Sequence, residues 1–289
     1  MSDNVTERLT VEMDRIIRAR IEADRLVVPA FPATATRCLA LLKDPNVNLK
    51  RVVVLLEADP VFAALILRAA ATANFGGQAA TSLDQAVTRL GINAVRTLLI
   101  QAAARSIFES KDRTINQRLA QVWKHSIAVA VMARDIGALM QSSESEACYL
   151  AGLLHDVGKP IVAAMLAEVE RSLGRKVTLT PEQWAGVVDA SHRPVGVALA
   201  EKWNLAAPVV SAIRDCNEYD AGDRRGPTNI VRFSNALVKK NGMASGPVDL
   251  EDVGALIMIG RSMLGLDEEV VGRLASGIKT RIEAVSAAA

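Results

Sequence analysis

The chain contains three histidines, His125, His155 and His192, so any chemistry that requires imidazole must draw on them. His155 is followed directly by Asp156; the pair closes the apolar run Tyr149 to Leu154 and precedes Val157-Gly158-Lys159. Neighbouring residues on a helix project about 100° apart, so a histidine and the aspartate after it can flank one point and reach one cation from both sides. Neutral imidazole and carboxylate are suitable ligands for Zn, Mn or Fe, and one further donor from another helix would complete a site. His125, in Trp123-Lys124-His125-Ser126, is the candidate donor. Lys159 could then balance the charge of a phosphate on the metal, as a mobile point charge. The same residues also admit a structural reading, in which His155 and Asp156 form a hydrogen-bonded helix end, Gly158 caps it and Lys159 is favoured there by the helix dipole. Spacing alone leaves both readings open. His192 is either an accessory ligand or a capping and packing residue at a helix start.

The elements that would carry these residues are helical. Half of the residues are apolar and only 3% aromatic, a balance that suits closely packed helices better than a sheet. Leu9, Met13, Ile16, Ile17 and Ile21 recur at helical spacing and predict an amphipathic helix over about residues 5–24, whose apolar stripe needs a partner in this chain or another. A helix through Leu39, Leu41 and Leu42 ends before Asp44-Pro45. Asn48 and Asp59-Pro60 then mark helix starts, Ser82 with Gln85 has capping-box spacing, and Gly91 is placed to end that helix. Further helices are expected over roughly 93–109, 115–141 and 144–157, from Thr180-Pro181-x-Gln183, and over roughly 193–203, 207–219, 228–241, 250–264 and 267–285. The polar, glycine-rich stretch from Tyr219 to Pro227 is expected to be a mobile loop. No segment alternates as a strand and no fixed-period repeat is present, so the predicted fold is all-α, an irregular multi-helix bundle.

A formal net charge of +2 from 34 basic and 32 acidic residues gives no global field to draw the chain onto nucleic acid or an anionic membrane. Arg224 and Arg225, with Arg232, Lys239 and Lys240, could meet an anion, but interspersed acids and missing aromatic partners favour a solvated surface. Cys38, Cys148 and Cys216 lie far apart without paired spacing and are expected to be small buried side chains. The polar N-terminal residues and the want of an uninterrupted apolar span lead to the expectation of a cytoplasmic protein with no membrane segment.

The string Ala151-Gly152-Leu153-Leu154-His155-Asp156-Val157-Gly158-Lys159, with His125 upstream, resembles the core of the HD phosphohydrolase superfamily. Phe31-Pro32, Asp44-Pro45, Asp59-Pro60, Ala73-Asn74-Phe75-Gly76, Ser82-Leu83 with Ala86, and Leu90-Gly91 resemble, in order, the signposts of the HDOD domain, an HD-related output domain of bacterial signalling proteins. The resemblance runs from about Val28 to Glu218 and implies an HD-domain-like helical fold generally without hydrolase activity. It matches His125, His155 and Asp156 to three of the four metal ligands of active HD enzymes. The fourth, an aspartate, falls at Asn235. Relative to HD-GYP phosphodiesterases, Lys159 and His192 match, while later paired histidines fall at Cys216-Asn217 and the GYP loop is missing. Asparagine in place of aspartate removes a charge and leaves a weaker ligand.

The resulting expectation is a leader helix over 1–27, an HDOD-like domain over 28–220 and a helical extension over 221–289 that packs on it. The expected function is that of a non-catalytic bacterial output module acting through contact with a signalling protein, with a degenerate site at which Mn, Fe or Zn is held weakly and no cofactor is required. Cyclic-dinucleotide binding and self-association stay open, and nucleic acid is not expected as a partner. The alternative is a metal-dependent phosphohydrolase of nucleotides or cyclic dinucleotides using Asp156 and Lys159.

Overall fold

Short polar side chains cap the starts of several helices, among them Asn48, Asp59, Ser82 and Thr180, the four that the sequence marks. In a computed structural model that describes residues 2–26, 31–42, 44, 46–72, 80–142, 144–172, 179–216 and 218–282, thirteen α-helices appear and no strand among the described residues. The signposts Ala73-Asn74-Phe75-Gly76 and Pro45, with Val28 and Asn217, lie outside the described residues.

Packing divides the chain into two units, Met1–Val28 with Ile107–Ile278, and Pro29–Ser106 with Lys279–Ala289. The second unit is built on α2 (Ala33–Leu41), α3 (Leu49–Glu57), α4 (Pro60–Thr72) and α5 (Leu83–Arg105). Asn48 accepts from the Lys50 amide at 3.0 Å and Asp59 from the Val61 amide at 3.1 Å, each satisfying a donor that the first turn leaves unpaired. Ser82 accepts from the Gln85 amide at 3.2 Å, but the return bond differs from a capping box: Gln85 Oε1 accepts from the Thr81 amide and hydroxyl at 3.2 and 3.0 Å, one residue earlier. Gly91, at φ +77°, breaks α5 into two helical stretches, in a backbone conformation that costs glycine little and a side-chain-bearing residue more. Cys38, Leu42, Val52, Leu56, Phe62 and Ile66 are buried in this unit's core.

The first unit contains α1 (Ser2–Glu22), α6 (Arg113–Leu139), α7 (Ser145–Leu154), α8 (Lys159–Ser172), α9 (Pro181–Lys202), α10 (Ala207–Asp215), α11 (Pro227–Lys240), α12 (Leu250–Leu264) and α13 (Glu268–Ser276). α6 is its axis, buried almost continuously from Val122 to Ala133 and packed against α7, α8 and α11. The leader finds its partner within this chain: α1 packs on α9 and buries Met13 and Ile17. The stretch Ser145–Ser172 is long and apolar enough to cross a membrane by composition, but 89% of its apolar window is buried in the fold and a turn at His155–Gly158 divides it into α7 and α8.

Three expectations need correction. Gly158 does not end the helical region: α8 follows it directly, and Pro160 sits in its first turn, where the missing N–H costs nothing. Lys159 is therefore the first residue of a helix, not a charge at the end of one. Helix α9 runs unbroken through Pro194, so no helix starts at 193; packing against α1, α8 and α10 holds the segment that a proline would otherwise end. Finally, the loop after Tyr219 is anchored. Asn229, fully buried, accepts from the Asp220 amide at 2.7 Å and donates to the carbonyls of Asp220, Asp223 and Arg224 at 2.8, 3.1 and 3.2 Å. All three cysteines are buried, and burial pushes the Cys38 and Cys148 thiols up to about 11 and about 12.

Candidate metal centre

Two glycines bring the chemistry-bearing residues together. A Cβ on Gly152 would lie 2.9 Å from Ala130 Cα and 3.0 Å from Ala130 N, so α6 and α7 meet backbone to backbone. That close approach sets His125, on α6, beside His155, at the C-terminal end of α7, with ring centroids 5.3 Å apart in an edge-on arrangement. A Cβ on Gly158 would overlap the His192 carbonyl oxygen and lie 2.8 Å from Gly196 N, so the turn into α8 rests directly on α9. This contact carries Asp156 to His192 and Lys159 to Asp189. His125, His155, Asp156 and His192 are 1%, 1%, 3% and 4% exposed.

Each imidazole is oriented in the same way. Nδ1 of His125 faces the Met243 carbonyl at 2.8 Å, that of His155 the Gly152 carbonyl at 2.7 Å, and that of His192 the Asp189 carbonyl at 2.7 Å. A carbonyl oxygen only accepts, so Nδ1 carries the proton in all three. Nε2 of each is buried without a hydrogen-bond partner and points toward Asp156: His125 and His155 stand 3.8 and 3.5 Å from Oδ2, and His192 stands 3.3 Å from Oδ1. In a metal site, a backbone carbonyl that accepts from Nδ1–H leaves the Nε2 lone pair ready to bind. One ligand atom from each of His125, His155 and Asp156 falls within 4.8 Å of the others. The residues therefore fit a divalent transition metal of the Zn, Mn or Fe type.

Lys159 complicates that fit. Its ammonium lies 2.8 Å from Asp156 Oδ2, 2.6 Å from Asp189 Oδ1 and 3.3 Å from the Ser245 hydroxyl. Burial alone would lower the pKa of this ammonium, but Asp156 and Asp189 outweigh it and hold the pKa above its ordinary value. Burial likewise opposes ionisation of Asp156, yet His155, Lys159 and His192 keep its pKa well below the usual carboxylate range. Burial takes His125 down to about 4 and His155 to about 3, with Asp156 opposing in both cases, so both rings are neutral near pH 7.

A consequence for stability follows from those two rings. Their folded pKa values lie below the ordinary 6.5, so from pH 6.5 down to about 4 the unfolded chain binds more protons than the folded one. The metal-free protein is thus expected to lose stability as pH falls through this window, by about 1.4 kcal/mol per pH unit for each histidine. Urea unfolding midpoints at pH 7, 6 and 5 measure it, and the slope should shrink in a His155→Gln variant.

Of the residues singled out in the sequence, His125, His155, Asp156, His192 and Lys159 converge here. His192 lies in the middle of α9, not at a helix start. Asn235 lies on α11, which packs against α6 and α7; its Oδ1 is buried without a hydrogen-bond partner. Cys216 stands apart, with Sγ accepting from Arg193 and its carbonyl from Arg232 at 2.8 Å. The basic residues after Gly222 do not form one patch: Arg224 is exposed, Arg232 stacks over the Tyr219 ring at 4.9 Å, and Lys239 is half-buried, with Asp156 and Lys159 within its electrostatic reach. Sequence reasoning missed Asp189, Ser245 and the two contact glycines; only the i, i+3 spacing of Asp189 and His192 on one helix offered a signal.

The HDOD domain model matches residues 28–219. The chain belongs to the HDOD domain family. An HDOD domain protein of unknown function from Geobacter sulfurreducens superposes with a TM-score of 0.67 at 24% identity, covering 96% of this chain and 99% of that one. A proposed metal-dependent phosphohydrolase from Shewanella amazonensis SB2B gives a TM-score of 0.71 at 21% identity, covering 94% and 99%. A proposed signal transduction protein from Marinobacter aquaeolei VT8 gives 0.64 at 25% identity, covering 91% of this chain and 59% of that one. An uncharacterised protein of Treponema pallidum (strain Nichols) is 26% identical over 198 residues, 66% of this chain but only 38% of that protein's length. The HDOD family and an HD-domain-like helical fold are thereby established for this chain.

Proposed function

We propose that this HDOD protein is a non-catalytic signalling output module whose HD cluster can hold a cation but does not turn over a substrate. The observation that carries this reading is the closure of the site. His125, His155, Asp156 and His192 are almost wholly buried, and a cavity of about 190 Å³ is lined by Lys159, Asp189, Trp184 and Ser245 but by none of the histidines. Pockets for drug-sized ligands span roughly 300–1,000 Å³, so this cavity is smaller than a nucleotide site usually is. Asn235 at the position of the fourth ligand, a neutral donor, points the same way. The likeness to a proposed signal transduction protein from Marinobacter supports a signalling role; contact with a partner protein in a bacterial cytoplasm is part of this proposal.

A second reading, a metal-dependent phosphohydrolase, is favoured by the convergence of His125, His155 and Asp156 within 4.8 Å. A bound Zn, Mn or Fe ion would polarise a phosphoryl oxygen and lower the pKa of bound water. The test is turnover by purified protein loaded in turn with Mn, Fe or Zn, on nucleoside phosphates and cyclic dinucleotides. No release of phosphate or linear product is expected. Rates on the order of 1 s⁻¹ or above, lost in His155→Ala, would establish the second reading and sink the first.

A further inference from the structure

The metal-ligand geometry and the lysine make competing claims on one oxygen. Oδ2 of Asp156 is the carboxylate oxygen nearest both His125 and His155, at 3.8 and 3.5 Å, and it is also the oxygen that the Lys159 ammonium meets at 2.8 Å. A divalent ion held by His125, His155 and Asp156 would draw on that oxygen, and would then share it with a fixed positive charge. Two cations a few Å apart in a buried site repel more strongly than they would in water, because the effective dielectric of protein interiors is lower. Lys239, within electrostatic reach of Asp156 and Lys159, adds a second positive charge nearby.

The lysine has an alternative position. Asp189 Oδ1 is already 2.6 Å from its ammonium, and the Asp189 side chain is 47% exposed where the Asp156 side chain is 5% exposed. Both lysine and Asp189 line the small cavity, which gives the flexible four-carbon stem room to move outward. Ser245, 3.3 Å away, offers the hydroxyl that would accept part of the ammonium's hydrogen bonding after such a move.

We propose that Lys159 is the resident counter-ion of the HD cluster, which excludes a divalent cation while it rests on Asp156 and admits one when it transfers to Asp189. The proposal rests on the cluster being able to hold a cation in a module without turnover, and it concerns what controls occupancy. It explains how a site of three imidazoles and a carboxylate is electrostatically complete in the metal-free protein. It also makes Asp189, which touches none of the imidazole nitrogens that face Asp156, a positioning residue that acts through Lys159.

The experiment is calorimetric titration of Zn²⁺, and separately Mn²⁺, into metal-stripped full chain. Lys159→Gln is expected to bind at least about tenfold more tightly than the native chain, and Lys159→Arg no more tightly than it. Asp189→Asn, a half-exposed change that leaves the core intact, is expected to weaken binding at least about tenfold, while Glu182→Gln on the wall of the same cavity shifts it less than about threefold. In the Lys159→Gln background, Asp189→Asn should have lost most of its effect. Lys159→Gln binding no more tightly than the native chain overturns the counter-ion role. Should that variant not fold, equal affinities of Asp189→Asn and Glu182→Gln overturn it instead. No binding by any of these proteins overturns the cation site itself. Turnover is not measured, so these outcomes are distinct from failure of the non-catalytic reading.

Discussion

Substituting alanine for Gly158 is expected to lower folding stability by at least about 3 kcal/mol in urea titration, near the top of the range for overpacking. A new Cβ there would overlap the His192 carbonyl oxygen and stand 2.9 Å from the His192 carbonyl carbon and 2.8 Å from Gly196 N. These are main-chain atoms of a helix that is itself packed against α1 and α10, so no side-chain rotation relieves the clash. The α8 and α9 backbones would have to part, and the Asp156–His192 and Lys159–Asp189 pairs cross that same contact. Gly254 on α12 is the internal control. Nothing lies within 4 Å of a Cβ built there, so Gly254→Ala should be neutral or stabilise by up to about 1 kcal/mol through helix propensity. Equal unfolding midpoints for the two variants would show that the glycine contact does not set the site.

The second large effect is expected at Asp156. Asp156→Ala should cost about 3–5 kcal/mol, because it leaves a buried ammonium with one of its two carboxylate partners. Lys159 retains Asp189, but the Lys159 side chain is only 10% exposed, so water replaces little of what Asp156 supplied. The double variant Asp156→Ala with Lys159→Met removes the orphaned charge and should recover at least half of the loss. Chemical denaturation of the native chain, both single variants and the double variant measures this coupling. A cost under about 1 kcal/mol for Asp156→Ala, with no recovery in the double variant, would mean that the cluster contributes little to the fold.

Much of the helical framework was legible because helix starts depend on local chemistry. Asn48, Asp59 and Thr180 each cap the helix that follows, and each bond spans two or three residues. The pairing of His155 with Asp156 was legible for the same reason, since adjacency in sequence forces adjacency in space. His125 could be added because so few imidazoles exist in the chain. Where local rules conflict with packing they failed. Gly158 and Pro194 both look like helix punctuation, yet one is a contact point and the other lies inside a continuous helix.

Local chemistry along the chain is enough for an all-helical protein of HDOD type, for several capped helix starts, and for a His–Asp pair able to share a cation. Tertiary structure alone decided that Gly152 and Gly158 draw four helices' worth of polar groups to one buried point, that the three Nδ1 protons are spent on main-chain carbonyls, and that Lys159 lies between Asp156 and Asp189. The physical reason is range. Capping and periodicity act over a few residues, whereas the state of a buried carboxylate depends on every charge and dipole that the fold sets within a few Å of it. The His–Asp pair is thus a property of the sequence; whether a lysine or a metal neutralises it is a property of the packing.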